Sequence, residues 1–559
     1  VFSTNLNGKY NVWAMDLPHL FPYPLTTINQ ISSLVHFHPE CLIATFEQDG
    51  DENQQLHYLP IEGGKPVPFD EGEAGSTCFH ACFSDNHEIY YSSNHENPLL
   101  NIYKRNLNDE KATVVQKGET VPIVVAAVSP DGAYVFTETY SNTHAAAFYQ
   151  SDKGKIPMVP DPDSPHTIRD VLFVNGTVFF TTNYEDEFSY LATFNPSTHE
   201  FRPVLKLKNE ELTHIKWSEA TNKLVISSEK GVCDRLYEYD ILSGELVSLE
   251  SPCGLMKKIV VTKSGTLYVL GISSDKTDTI YKRGADGKWI QLTNTKVPGI
   301  SVDRMVKPEI VQYDSFDGLS IEALLFRPKQ ENGYTILWPH GGPQKAERMR
   351  YRPLFQCLVQ QGYTLFAPNF RGSQCYGKSF EKMVERDWGD GPRLDCVAGM
   401  DWLIEEGISE KGRIISIGGS YGGYMSLLLA GRHPEYFCGI VDIFGISNLF
   451  TFLNNVPPSW GTLMDQMVGN PERDHDKLVR DSPITYIEQM NAPMFIIHGQ
   501  NDPRVKTEES EQIMHHLNKK GIDVEYLLFE DEGHGFLKKQ NEIKAYEGIR
   551  AFLDKLISG

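Results

Sequence analysis

The sequence predicts an all-β first half made of repeated small sheets and an α/β second half built on a parallel sheet. Three observations carry this reading. Residues 1 to about 305 lack helical apolar periodicity; short alternating or aromatic runs are broken by turn signals such as Ser129-Pro130-Asp131-Gly132, Lys263-Ser264-Gly265 and Ala285-Asp286-Gly287. Strand-like segments recur at Trp13, Tyr58, Tyr103, Phe148, Thr193, Tyr237 and Tyr281, spaced 44 or 45 residues apart. Beyond residue 306, short apolar runs alternate with helical stretches and end in Gly-, Asp- and His-containing loops.

A period in the forties, with room for four short strands per unit, is the signature of a β-propeller, and seven repeats imply seven blades. Turns follow several of the marked strands, as in Ile61-Glu62-Gly63-Gly64, Leu107-Asn108-Asp109 and Leu242-Ser243-Gly244. A single large sandwich would not require such regular spacing. The repeats stop near Val302 to Pro308, so the predicted domains are a propeller over 1–305 and an α/β domain over 306–559. A hairpin through Asp317-Gly318 opens the second domain, which is long enough for an eight-stranded sheet covered on both faces.

Within that domain, Arg413-Ile414-Ile415-Ser416-Ile417 reads as a buried strand and Tyr424-Met425-Ser426-Leu427-Leu428-Leu429-Ala430 as a helix. Between them lies Gly418-Gly419-Ser420-Tyr421-Gly422, the one Gly-X-Ser-X-Gly of the chain. Glycines at both ends let strand and helix approach closely, and the turn lifts the Ser420 hydroxyl to the sheet's carboxyl edge. Pro493-Met494-Phe495-Ile496-Ile497 reads as a later strand running into His498-Gly499-Gln500-Asn501-Asp502. Val524-Glu525-Tyr526-Leu527-Leu528-Phe529 precedes Glu532-Gly533-His534-Gly535-Phe536. The order Ser420, Asp502, His534, each past a strand end, is the order of an α/β-hydrolase triad. Serine needs a base to become a nucleophile, histidine titrates near neutrality, and a carboxylate fixes the imidazole tautomer. Asp531 is a rival acid, but it stands three residues before His534 and reads as a turn cap. Thr335-Ile336-Leu337-Trp338 leads into Pro339-His340-Gly341-Gly342-Pro343, where the Gly342 N–H, with that of Tyr421, would form an oxyanion hole.

Together these motifs resemble the prolyl oligopeptidase family of serine peptidases. The resemblance is carried by His340-Gly341-Gly342-Pro343, Pro368-Asn369-Phe370-Arg371-Gly372-Ser373 with Tyr376-Gly377, Gly418 to Tyr424, His498 to Val505, and Glu532 to Phe536. The loop before Pro343 has no tyrosine to donate into the oxyanion hole, so the chain is more similar to the acylaminoacyl peptidase branch. That resemblance implies that Arg504, two residues after Asp502, binds a substrate carbonyl; the alternative is a surface salt bridge. It also implies a propeller that admits peptides and excludes folded proteins. Members of this branch usually carry an N-terminal segment, often a helix, before the first blade, whereas Val1-Phe2-Ser3-Thr4 already reads as a strand.

Phe450, Phe452, Trp460 and Met464 are candidates for an apolar substrate pocket, with ordinary packing as the alternative. Tyr184-Glu185-Asp186-Glu187 faintly resembles the paired glutamates with which dipeptidyl peptidases hold a free amine, yet it reads better as a solvated hairpin tip. The resulting expectation is a serine peptidase that releases N-acylated amino acids from short blocked peptides, or cleaves their internal bonds. The alternatives are a dipeptidyl peptidase, an esterase, or a binding protein with a vestigial hydrolase.

Composition narrows the rest. A net charge of −22 over 559 residues argues against nucleic acid and anionic membranes as partners. No apolar run is long enough to span a bilayer. Nine scattered cysteines suit a reducing cytoplasm better than a disulfide framework. Cys78, His80 and Cys82 lack the second ligand pair of a zinc site, and no phosphate loop or dinucleotide fingerprint occurs, so neither metal nor cofactor is expected. Short peptides are the expected partners, and pairing with a second copy is left open.

Overall fold

The computed structural model describes residues 1–28, 31–38, 40–69, 77–83, 87–109, 111–297 and 300–558. Seven antiparallel sheets follow one another from Phe2 to Gln291, six of four strands and the first of three. This is the seven-bladed propeller. Tyr58, Tyr103, Phe148, Thr193, Tyr237 and Tyr281 all fall on the third strand of their blade, which is why the period is so even. Trp13 lies on the second of three strands, so the first blade holds the counterparts of strands two to four. From blade 3 to blade 7 the first strands of successive blades touch each other, the innermost position in a propeller.

Both faces of an inner blade strand pack on neighbours, so several of these strands are apolar or buried without a break, as in Cys41–Glu47. Ile123–Val128 buries every second residue most deeply. The apolar residues form small clusters between adjacent blades: Val12 and Leu42 join blades 1 and 2, Phe136 and Tyr90 join blades 4 and 3, and Leu236 and Val269 join blades 6 and 7.

The second domain carries one eight-stranded sheet. Its order is Glu309–Asp314, Ser320–Phe326, Thr364–Pro368, Thr335–Leu337, Ile414–Gly419, Phe437–Ile443, Met494–Gly499 and Val524–Phe529. The first two strands pair antiparallel, the second meets Thr364–Pro368 antiparallel, and all later neighbours are parallel. Central strands are buried on both faces, so they read as unbroken apolar runs such as Ile414-Ile415-Ser416-Ile417. Helices Gly391–Glu405, Tyr421–Arg432 and Glu508–Lys520 cover one face, and Pro353–Gln360 with Lys539–Ser558 covers the other.

The domains meet through the turns between second and third strands of the blades. Asn501 Nδ2 donates to the Asp49 carbonyl at 3.1 Å, and Lys538 pairs with the Asp49 carboxylate at 2.6 Å. Lys378 N donates to the Glu187 carbonyl at 2.8 Å, and Gln356 Nε2 to the Ser274 carbonyl at 3.1 Å. The core of the interface is ionic: Arg348 reaches Glu229 at 3.1 Å and Asp234 at 2.6 Å, while Arg169 reaches Glu211 at 2.6 Å and Glu229 at 3.1 Å. Buried charges of this kind are tolerated only when each is paired. Among the described residues no helix is long and apolar enough to cross a membrane. All nine cysteines are free thiols, and burial pushes Cys82 up to about 12. The side chain of His80 lies outside the described residues.

Candidate active site

Ser420 occupies the single-residue turn between the Ile414–Gly419 strand and the Tyr421–Arg432 helix. Its backbone sits at φ 57°, ψ −123°, a conformation that L-residues avoid and that the surrounding packing must impose. The imposing atoms are visible. A Cβ on Gly418 would lie 2.1 Å from the Gly422 carbonyl oxygen, and one on Gly422 would lie 2.1 Å from that of Pro339. The Ser420 N–H donates to the Ile443 carbonyl at 2.9 Å, tying the turn to the next strand.

The three candidate residues, far apart in sequence, converge. His534 Nε2 stands 2.9 Å from Ser420 Oγ, and His534 Nδ1 stands 2.6 Å from Asp502 Oδ2. Asp502 is buried, which opposes its charge, but hydrogen bonds from His498 and His534 and from the Val505 N–H hold its carboxyl well below the usual range. The Arg504 and Val505 amides donate to its other oxygen at 2.8 and 2.9 Å. Asp531 is turned away, bonded to Lys538 and to Asn541 Nδ2.

Two supports for the histidine escaped the sequence reading. The Phe444 ring packs 4.6 Å from the His534 ring, centroid to centroid, from a backbone at φ 44° just past the Phe437–Ile443 strand. Gly533, next to His534, touches the propeller. A Cβ there would fall 1.8 Å from the Gly50 carbonyl oxygen. An aromatic residue held at positive φ gives no sequence signal, and neither does a glycine whose neighbour belongs to another domain.

The Pro339–Pro343 loop crosses beside the serine. A Cβ on Gly341 would come within 3.6 Å of Ser420 Cβ, and Gly342, at φ 135°, adopts a backbone that favours glycine. His340 braces the loop: its ring stacks on Phe370 at 4.1 Å and its Nε2 lies 2.8 Å from Ser373 Oγ. Burial pushes His340 down to about 4, so it is neutral and structural.

Gly342, Ser420, Tyr421 and His534 open onto one cavity of about 150 Å³. Its apolar wall includes Phe452, Trp460 and Met464 as expected, with Trp388, Ile446, Leu463 and Met467 in addition. Phe450 does not line it; its ring faces His475 at 5.3 Å, because it lies on the opposite side of the short Leu449–Asn455 helix. Arg504 reaches the cavity rim, where its Nε bonds Glu52 of the propeller at 2.9 Å. Asn142, from a blade-4 turn, also lines the cavity and donates to Gln344 at 2.8 Å. Nothing in the sequence distinguishes that turn from its six equivalents.

The Glu185–Glu187 turn lies at the domain interface. Glu187 accepts from the Ser379 N–H at 2.8 Å and from Ser379 Oγ at 2.6 Å, and Asp186 pairs with Lys206 at 2.7 Å. Together with Lys378 these three acids border a separate open depression that does not include Ser420.

Residues 349–559 match the model of the prolyl oligopeptidase family. Dipeptidyl aminopeptidase BIII of Pseudoxanthomonas mexicana is 37% identical over 230 residues, 40% of this chain and 33% of that protein. An acylamino-acid-releasing enzyme of Rattus norvegicus is 24% identical over 359 residues, 59% of this chain and 48% of that protein. The chain thus spans between a third and a half of the length of these curated relatives. Among solved structures, a puromycin hydrolase superposes with a TM-score of 0.85 at 16% identity, covering 99% of this chain and 91% of the other. At that identity the likeness speaks for the fold.

Proposed function

From the membership of its catalytic half in the prolyl oligopeptidase family, we propose that this chain is a serine peptidase acting on short peptides through an acyl-enzyme at Ser420. The observation that carries the reading is the continuous chain Ser420 Oγ, His534, Asp502, with distances of 2.9 and 2.6 Å, beneath a propeller.

In this mechanism Ser420 Oγ attacks the scissile carbonyl while His534 Nε2 takes its proton. Asp502, kept ionised, stabilises the imidazolium on the far nitrogen. The Gly342 and Tyr421 amides receive the developing oxyanion. Collapse breaks the C–N bond, His534 returns its proton to the leaving amine, and Ser420 is left acylated. Water then attacks the ester while His534 takes its proton; the bond between the acyl carbon and Ser420 Oγ breaks, His534 returns the proton to that oxygen, and the acid leaves.

The finer reading is release of N-acylated amino acids. Among the described residues no carboxylate lines the cavity around Ser420, so a charged amine finds no partner there, whereas Arg504 and Asn142 offer donors to carbonyl oxygens. Glu187, the best candidate for an amine clamp, is already held by Ser379. A second reading, dipeptidyl peptidase, is favoured by the 37% identity to a dipeptidyl aminopeptidase.

The deciding experiment compares hydrolysis of an acetylated amino-acid p-nitroanilide with that of a free-amine dipeptidyl p-nitroanilide, with Ser420→Ala as blank. Faster turnover of the acetylated compound supports the acylaminoacyl reading. Preference for the free amine overturns it in favour of the dipeptidyl one. Cleavage of esters alone points to an esterase, and failure of Ser420 to react with a fluorophosphonate overturns the enzyme assignment altogether.

A further inference from the structure

Blades 2 and 3 meet in a side-chain cluster remote from the serine. The strand Ile31–Phe37 ends in a tight turn closed by two backbone bonds, His38 N to Cys41 O at 2.9 Å and Cys41 N to His38 O at 3.2 Å. This turn displays His38 and Glu40. On the next blade, His87 precedes the strand Glu88–Ser93 in a left-handed conformation, φ 59°, with its carbonyl fixed by the Leu107 N–H at 2.9 Å. One ligand atom from each of His38, Glu40 and His87 can be chosen so that all lie within 4.8 Å of one another. The Glu40 carboxylate stands 3.9 Å from His87 Nδ1, and the two imidazole rings meet edge to face at 5.0 Å.

In sequence His38 and Glu40 fall between the first and second strands of blade 2, and His87 between those of blade 3. The turns that touch the catalytic domain join the second to the third. In an antiparallel blade these lie on opposite ends, so the cluster stands on the face away from the catalytic domain. The cluster follows the first strand of each blade, the innermost strand of a propeller.

We propose that His38, Glu40 and His87 bind a divalent transition ion, of the class of Zn²⁺, that staples blade 2 to blade 3 on this face. Two imidazoles and one carboxylate form the donor set of borderline ions, which accept three protein ligands and leave a fourth position to water. Hard ions such as Mg²⁺ and Ca²⁺ prefer oxygen alone and are excluded by the two nitrogens. The scaffold below is already pinned, since His36 stacks on Phe83 across the same two blades at 4.0 Å with the planes 13° apart. Closing on an ion therefore calls for side-chain rotation only. The Nδ1 of His38 receives the Glu40 N–H at 3.3 Å, a long contact that ligation through Nδ1 would replace and ligation through Nε2 would loosen by shifting the ring proton. The side chains of Glu40 and His87, 74% and 46% exposed, are free to turn. A staple here adds a link, beyond the packing and the single chain connection, that resists separation of two neighbouring blades.

The test uses the full chain without a polyhistidine tag, stripped with EDTA and titrated with ZnCl₂ by calorimetry, and with CoCl₂ by visible absorption. Saturable one-to-one Zn²⁺ binding is expected, with a rise in thermal midpoint, no response to Mg²⁺ or Ca²⁺, and new visible bands with Co²⁺. Affinity falls at least about tenfold in His87→Ala and in Glu40→Gln. These are turn positions remote from the serine, so peptidase turnover of the metal-free variants stays at the wild-type level and reports correct folding. Absence of saturable Zn²⁺ binding overturns the proposal, as does binding that survives unchanged in a His38→Ala/His87→Ala double variant.

Discussion

In the catalytic half the buried side chains form two layers flanking one eight-stranded sheet, whereas in the propeller they divide into small clusters, each shared by two blades. Ser420, Asp502 and His534 all project from the first kind of core, past the ends of three parallel strands of one sheet. The propeller contributes at the edges: Asn142 to the cavity wall, Glu52 to Arg504, and Gly50 to the loop that carries His534. The contrast teaches that the three residues are placed by a continuous core and edged by a modular one, with the join running one residue from His534.

The sharpest way to break this division is Ser420→Ala. On the acetylated p-nitroanilide it lowers kcat by roughly 10⁶-fold while circular dichroism and thermal midpoint stay unchanged; residual turnover near wild type would remove the serine from the chemistry. Asp502→Asn follows, with a loss of roughly 10⁴-fold through the wrong imidazole tautomer. The same variant tests a stability linkage. Asp502 has a depressed folded pKa, so its contribution is present above the unfolded carboxyl pKa and is lost as pH falls through the folded value. Wild type should therefore lose stability more steeply than Asp502→Asn on acidification.

Gly533→Ala probes the join itself. The new Cβ must displace the Gly50 carbonyl, and a shift of about 1 Å in the His534 loop costs roughly 10²-fold in kcat. Gly461→Ala, with nothing within 4 Å, is the matched control and should be near neutral. Wild-type kinetics in Gly533→Ala would mean that the propeller contact does not position the base.

Core truncations compare the two halves directly. Leu427→Ala, in the helix behind Ser420, and Ile226→Ala, between blades 5 and 6, each remove a fully buried side chain and cost about 2–5 kcal/mol locally. Hydrogen exchange should show the first spread through the catalytic domain and the second confined to two blades. The smallest effect is expected at Glu381. Burial is the main cause of its rise from 4.5 to about 7, opposed by Arg169 and reinforced by Glu211. The folded chain thus binds this proton between those values and the unfolded chain does not, so stability declines as pH rises from 4.5 to 7. Glu381→Gln should flatten that slope in thermal midpoints measured across the window.

Much of this was legible in the sequence because it depends on local rules. The Gly418–Gly422 turn announces itself, since only glycines fit where 2.1 Å separates a would-be Cβ from a carbonyl. The blade period is legible because each third strand repeats the same environment. Phe450 was misplaced on the cavity wall because a seven-residue helix gives too few turns to say which aromatic faces inward. Arg504 offers the sequence two readings, a substrate ligand or a surface ion pair; in the structure it lines the cavity while bonding Glu52.

By itself, then, the sequence determined the two architectures and the order of Ser420, Asp502 and His534 past strand ends, because periodicity, turn chemistry and strand ends are properties of neighbouring residues. Only the tertiary structure decided which of seven equivalent turns reaches the cavity, that Phe444 and Gly50 hold the His534 loop, that Glu187 is occupied by Ser379, and that His38, Glu40 and His87 converge. Those outcomes depend on distances between segments up to hundreds of residues apart, which are set by how two domains dock and how blades stack rather than by any local pattern.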